Sequence, residues 1–446
     1  MARRPATLPA ILAATFGSLY AALSLLRFRR FETPSWDNAI FEQAIKGYAH
    51  FGAPIVDVKG PGFNQLGDHF SPILALVAPF YRVFPSAQTI LVAQAVLLAI
   101  SVAVIAHVAI LHLGRTRGSA VAMAYGLSFG IWSAVKADFH EVAFAAPLLA
   151  LAGAAYVDRD WRRVMWWTVP LLLVKEDLGA TVATVGVVMW LAGQRRRGTI
   201  LAVIGVVAMV LVLFVLIPLA GPTGHWEYAS KFGGNRSVFS VLVDESGLKS
   251  LTVILTFAIT GMLALASPWV LLALPILVGR FVADNDYYWG IDWHYSLVLM
   301  PIVFIALIDA MNREHRFAWL RAYATQGGAV ALAFAAAMQL HSPLSVLVQP
   351  AAYGANPRAE TAREAIGLVP KGASIETDIG LVTHLVTDRT VYWIGTIGNV
   401  RPDYILFDVN GNFGSPENVV DYAAMTHGGN WELLLDKDGY ALARRH

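Results

Sequence analysis

Apolar runs of about twenty residues, separated by short polar turns, recur from residue 8 to residue 341 of this 446-residue chain. A helix of that length crosses roughly 30 Å of hydrocarbon. Only 14% of the residues are charged and 57% are hydrophobic, against roughly 25% charged in soluble domains. The runs fall near 8–26, 87–113, 118–135, 140–157, 163–174, 178–193, 198–220, 251–266, 268–283, 295–311 and 324–341. This pattern predicts an all-α polytopic membrane protein of about eleven transmembrane helices. Segment 71–84 is apolar but short and carries Pro72, Pro79 and Arg82, so it reads as an interfacial or re-entrant piece.

Arginine placement orients the spans. Arg3 and Arg4 precede the first run, and no small-residue cleavage site closes it before Arg27; it is read as a retained anchor with a cytoplasmic N-terminus. Threading onward, Arg115/Arg117, Arg159/Arg162/Arg163, Arg195/Arg196/Arg197 and Arg313/Arg316/Arg321 all fall in the cytoplasm, as the positive-inside rule requires. Arg27, Arg29 and Arg30 are the exception, placed outside, where contact with anionic headgroups is their plainer reading. The transmembrane domain is 1–341 with a long outer loop at 27–86, in which 36–48 has helical spacing and would lie along the interface. Residues 342–446 form a small extracytoplasmic α/β domain. A helix is expected at 358–368, strands at 373–376, 390–393 and 404–408, a helix near 417–425 and a hairpin near 431–443.

Several chemistries are excluded. Cysteine is absent, which removes disulfides, thiolate metal sites and cysteine nucleophiles. No Walker loop or nucleophile elbow is present, and Gly60 and Gly62 lack the strand–helix setting of a nucleotide-binding turn. Without a soluble basic patch, no nucleic acid partner is expected.

Ionisable residues gather at the outer ends of the spans, where their cost must be met by pairing or function. The first loop carries Asp37, Glu42, Asn64, Asp68 and His69. The second outer turn carries Lys136, Asp138, His140 and Glu141, and the third Lys175, Glu176 and Asp177. The last carries Arg280, Asp284, Asp286, Asp292 and His294 among Tyr287, Tyr288, Trp289 and Trp293. Each has a plainer reading. Asp37 suits the start of a helix, and Glu42 suits a solvated face. Asp68 with His69 reads equally as a cap, and His140 with Glu141 lacks the spacing of a zinc helix. Lys175, Glu176 and Asp177 would serve as an internal ion-pair network, and the aromatic run as an interface belt.

Trp36-Asp37, Phe41-Glu42-Gln43, Gly67-Asp68-His69-Phe70-Ser71-Pro72, Phe139-His140-Glu141, Lys175-Glu176-Asp177, and Asp403, Tyr404 and Asp408 resemble the motifs of a bacterial family of predicted membrane proteins. The layout of an acidic first outer loop, many spans and a soluble tail is similar to the GT-C superfamily of membrane glycosyltransferases. That resemblance implies a polyprenyl-phosphate sugar donor, transfer on the outer face of the cell membrane, and a loop-one acid as base. The matching acid is Asp37, the candidate catalytic residue. Trp36, Glu42, Gln43, Asn64, Asp68, His69, His140, Glu141, Lys175, Glu176, Asp177, Arg280 and His294 are candidates for donor and acceptor contact. No Asp-X-Asp pair stands in loop one, so the cofactor is unassigned, with a divalent cation as the one candidate. The partners implied are a lipid-linked sugar and membrane lipids.

On this reading Asp37 deprotonates an acceptor hydroxyl, while Lys175, Arg280, Lys136 or Arg27 meets the charge of the departing phosphate. A lipid or sugar transporter would instead place polar groups near mid-bilayer, and no inverted repeat is visible. A non-catalytic scaffold would pair its outer charges and leave no cavity.

Overall fold

The computed structural model describes residues 7–33, 36–232, 236–411 and 413–446; Arg3 and Arg4, which orient the first span, lie outside them. Every apolar run becomes a helix. Among the described residues, five are long and apolar enough to cross a membrane: Thr7–Arg29, Ala87–Leu113, Arg115–Lys136, Arg195–Ala220 and His294–Asn312. Four shorter apolar helices, Glu141–Val157, Leu178–Leu191, Ser246–Ala258 and Pro268–Val282, pack among them. The 71–84 segment breaks into two short turns of helix, Pro72–Leu76 and Ala78–Val83. Neither is long enough to cross.

Small residues decide how closely these helices approach. Leu178–Leu191 and Arg195–Leu211 form a hairpin whose seam is glycine. A Cβ on Gly186 would stand 2.4 Å from the Ala202 amide nitrogen, and one on Gly205 would stand 2.5 Å from that of Ala183. The backbones are therefore in contact, the device by which apolar helices pack where burial from water gives no drive. At the end of the hairpin a π-helical turn, Val212–Leu216, interrupts the longer helix.

The ends of the bundle gather separately. At one end the turns around residues 27, 136–141, 174–177 and 280–294 meet. At the other, Asp309 is buried between Arg159 (3.3 Å), Arg313 (2.7 Å) and the Ser267 hydroxyl (2.6 Å). Asp309 and His294 stand fifteen residues apart, which along a helix is ~22 Å.

The sheet lies near the C-terminus. Strands β1 (Ser374–Thr377), β2 (Thr390–Trp393), β3 (Tyr404–Asp408), β4 (Trp431–Lys437) and β5 (Tyr440–Arg445) run in the order β2-β1-β3-β5-β4. β1 pairs in parallel with β2 and β3, and β5 pairs antiparallel with β3 and β4. Helices Pro357–Gly367 and Val419–His427 cover it, close to the sequence expectation. A four-residue helix between β1 and β2, Val382–Leu385, has too short a pattern to be read in the sequence.

This sheet domain docks on the first loop. The interfacial helix Trp36–Ala49 meets it through Asn38 and Thr383 (2.5 Å), Gln43 and the Val391 carbonyl (3.0 Å), and Lys46 and the Val386 carbonyl (2.8 Å). Of Arg27, Arg29 and Arg30, the guanidinium groups of Arg27 and Arg30 find protein partners here. Arg30 donates to the Ala352 and Gly354 carbonyls, and Arg363 donates to the Arg29 carbonyl. Arg27 donates to the Lys136 carbonyl at 2.6 Å and lies 3.4 Å from Asp138.

Candidate active site

Asp37 occupies the second position of its helix, where the helix dipole favours a carboxylate. Facing it is the turn that follows Lys136. Asp138 adopts φ +66°, a left-handed conformation that Asp tolerates better than most residues. The chain reverses there and brings His140 and Glu141 back toward the first loop. His140 Nε2 lies 3.3 Å from Asp37 Oδ2, and its ring stacks on His294 with 3.5 Å between centroids.

Glu141 points the other way and pairs with Lys175 at 2.8 Å. Glu176, next along the chain, accepts from the His69 ring at 2.7 Å and from the Phe70 amide at 3.2 Å. Asp68 is held by Lys59 at 2.5 Å. Three segments far apart in sequence thus interlock through buried ion pairs, which hold only with good geometry.

These groups border a recess of about 340 Å³. Its polar lining includes His69, Lys175, Glu176, Asp177, Arg280 and His294. Val142, Leu178, Met209, Leu213, Ile276 and Val298 supply apolar wall. The Arg280 guanidinium is spent on the loop beside it, donating to the Tyr288 and Gly290 carbonyls and to Ser296; among the described residues no carboxylate pairs with it. Lys231 lies over the rings of Tyr228 (4.8 Å) and Tyr288 (5.4 Å), and Tyr228 stacks on His69 at 4.6 Å. Lys231 and Tyr228 are absent from the sequence candidates. They belong to a polar linker without an apolar period, and only its folding back over the recess gives them a place.

Electrostatics join Asp37 to this recess. Burial opposes its ionisation, but the bond and charge of His140, with the charges of Lys175 and His69, hold its carboxyl below the ordinary aspartate value. The side chain is still 49% accessible. Burial likewise opposes the charged form of His140, and Asp37 and Glu141 outweigh it, raising its pKa. Burial pushes Asp138 up to about 7 despite Arg27.

Four candidates stand elsewhere. Asn64 caps the short turn Gln65–Gly67 by accepting from the Leu66 amide. Trp36 packs edge-on against Trp393 of β2. Gln43 bridges the Val58 amide and the Val391 carbonyl. Glu42, expected on a solvated face, is fully buried. Among the described residues no three His, Asp or Glu side chains converge as a metal centre requires. Glu141, Glu176 and Asp68 are each paired with a lysine or histidine.

Fold and site together define a polytopic membrane protein with a charged recess at one end of its helical bundle. Residues 27–442 match the family described as "Predicted membrane protein (DUF2079)", and the chain belongs to that family. No curated protein matches it. Among solved structures it is similar to ArnT from Cupriavidus metallidurans bound to undecaprenyl phosphate, at 14% identity and a TM-score of 0.58 over 96% of this chain and 97% of that one. The apo state of the same protein aligns at 13% identity and a TM-score of 0.51, covering 97% and 98%. The fold is thus similar to that of ArnT over nearly the whole chain.

Proposed function

We propose that the protein transfers a sugar from a polyprenyl-phosphate donor to an acceptor hydroxyl, at the outer face of the membrane. The observation that carries this reading is the recess itself. Lys175, Lys231 and Arg280 line it, and the Asp37–His140–His294 chain leads to it. ArnT, whose fold this chain shares, binds undecaprenyl phosphate, and the apolar wall suits the first units of such a chain.

In the reaction, Asp37 takes the proton of the acceptor hydroxyl as that oxygen attacks the anomeric carbon. The bond from this carbon to the phosphate oxygen breaks, its electron pair leaves with the phosphate, and the configuration inverts. His140 keeps Asp37 ionised and aimed. The cations stabilise charge that grows on the departing phosphate, the largest electrostatic demand of the step. Lysine acts there as a point charge, and Arg280, its guanidinium held by the loop, adds its positive charge to the recess.

A transporter is less well supported. Asp309, a buried carboxylate within a span, is tied to two arginines at the far end of the bundle. The test uses the full chain in nanodiscs, supplied with undecaprenyl-phosphate sugars and a panel of hydroxyl-bearing acceptors. Release of undecaprenyl phosphate that depends on Asp37 supports the reading. Equal release by Asp37→Asn at equal protein level refutes it.

A further inference from the structure

Glu42 lies five residues beyond Asp37 on the same helix, ~7.5 Å along its axis. It is fully buried, and its Oε1 accepts from Tyr81 at 2.8 Å and from Thr387 at 2.7 Å. Tyr81 belongs to the interfacial turn Ala78–Val83, and Thr387 to the segment between β1 and β2. One carboxyl oxygen thus ties three separate parts of the chain together. Oε2 is buried with no hydrogen-bond partner among the described residues. Around it, Asn38, Gln43 and Lys46 of the same helix bond Thr383, Val391 and Val386.

We infer that Glu42 is a positioning residue, a clamp through which the docked sheet domain fixes the helix that carries Asp37. The inference rests on the reading of Asp37 as base. Among the described residues, the Glu42 carboxyl bonds both neighbours through a single atom. Loosening it would free the N-terminal turn of the helix, where a shift of the base degrades the near-attack geometry.

The clamp responds to protons. Burial pushes the Glu42 carboxyl up to about 7, while the Thr387 and Tyr81 bonds and the charge of Lys46 pull it down and that of Asp388 adds to the rise. Asp388 is itself held by Arg389 at 2.5 Å and Lys371 at 3.4 Å. A raised carboxyl stabilises the docked state fully below the ordinary glutamate value, and that contribution is lost as pH rises through about 7. An ionised Glu42 would leave Oε2 buried and unsatisfied, which is costly.

Hydrogen–deuterium exchange of peptides spanning residues 38–49, in the full chain in nanodiscs and corrected for intrinsic exchange, tests this. If opening returns Glu42 to water, exchange should rise about tenfold between pH 6 and pH 8 in the wild type. It should stay flat in Glu42→Gln, which keeps the acceptor oxygen and cannot ionise. Thr387→Val should speed exchange at every pH, and should lower kcat with KM for undecaprenyl-phosphate sugar unchanged. A flat wild-type profile, or the same rise in Glu42→Gln, overturns the clamp. An active Asp37→Asn would defeat the base assignment and leave the exchange profile standing, so the two failures are distinguishable.

Discussion

His140 Nε2 lies 3.3 Å from Asp37 Oδ2, across a gap of about a hundred residues of sequence. Each group favours the charged form of the other. Asp37 is depressed, so its share of the stability is present above the ordinary aspartate value and is lost as pH falls through its lowered pKa. His140 is raised, so its share is present below the ordinary histidine value and is lost as pH climbs through its raised pKa. The pair is strongest between those two ordinary values. Replacing His140 by Leu should move the acid limb of kcat/KM upward, read from a pH–rate profile. An unmoved limb would remove His140 from the control of Asp37.

Asp37→Asn keeps the shape and removes the base. Transfer should fall by about 10²–10⁴, with undecaprenyl phosphate binding held within roughly twofold, since uniform binding and base catalysis are separable. Single-turnover kinetics and a lipid-binding titration check the two halves.

Lys175 has a structural duty and a proposed functional one, and the two can be separated. Lys175→Ala strands Glu141, only 1% exposed, and breaking a buried pair in this way costs about 3–5 kcal/mol. The double variant Lys175→Ala/Glu141→Gln removes the orphan charge and should recover most of the thermal stability. It should not recover affinity for undecaprenyl phosphate. Recovery of both would reduce Lys175 to an ion-pair partner.

The glycine seam makes a prediction about the hairpin. Gly186→Val must push its neighbour away from a 2.4 Å approach to backbone, and overpacking of this kind costs about 1–3 kcal/mol or more. Gly247, in helix Ser246–Ala258, has nothing within 4 Å of an added Cβ. Gly247→Ala should therefore gain up to about 1 kcal/mol from helix propensity. Thermal unfolding in nanodiscs distinguishes the two signs.

The sequence was most legible where one physical rule dominated. Apolar length marked the helices, and alternation with turn residues marked β1 to β5, with β2 read residue for residue at 390–393. Asp37 with His140, Glu141 with Lys175, and Glu176 with His69 also pair across separate segments, because groups too costly to bury alone must find each other. Glu42 could not be read this way. Its face of the helix looks polar and solvated until a domain more than three hundred residues later covers it. Arg30 was hidden for a related reason, since its partners are backbone carbonyls, which no sequence pattern marks. Lys231 and Tyr228 were hidden by lying in a linker whose fold-back is purely tertiary.

The bond from Thr387 to Glu42 spans 345 residues, and this sets an order on assembly. At 5–20 residues per second the ribosome needs on the order of tens of seconds to travel that distance. During that interval the anchor and the Asp37 helix exist without the segment that fastens them. A chain halted within its later spans carries the Asp37 helix and still lacks Thr387. On the proposed reading of Asp37, competence for transfer would then wait until residue 387 has been made.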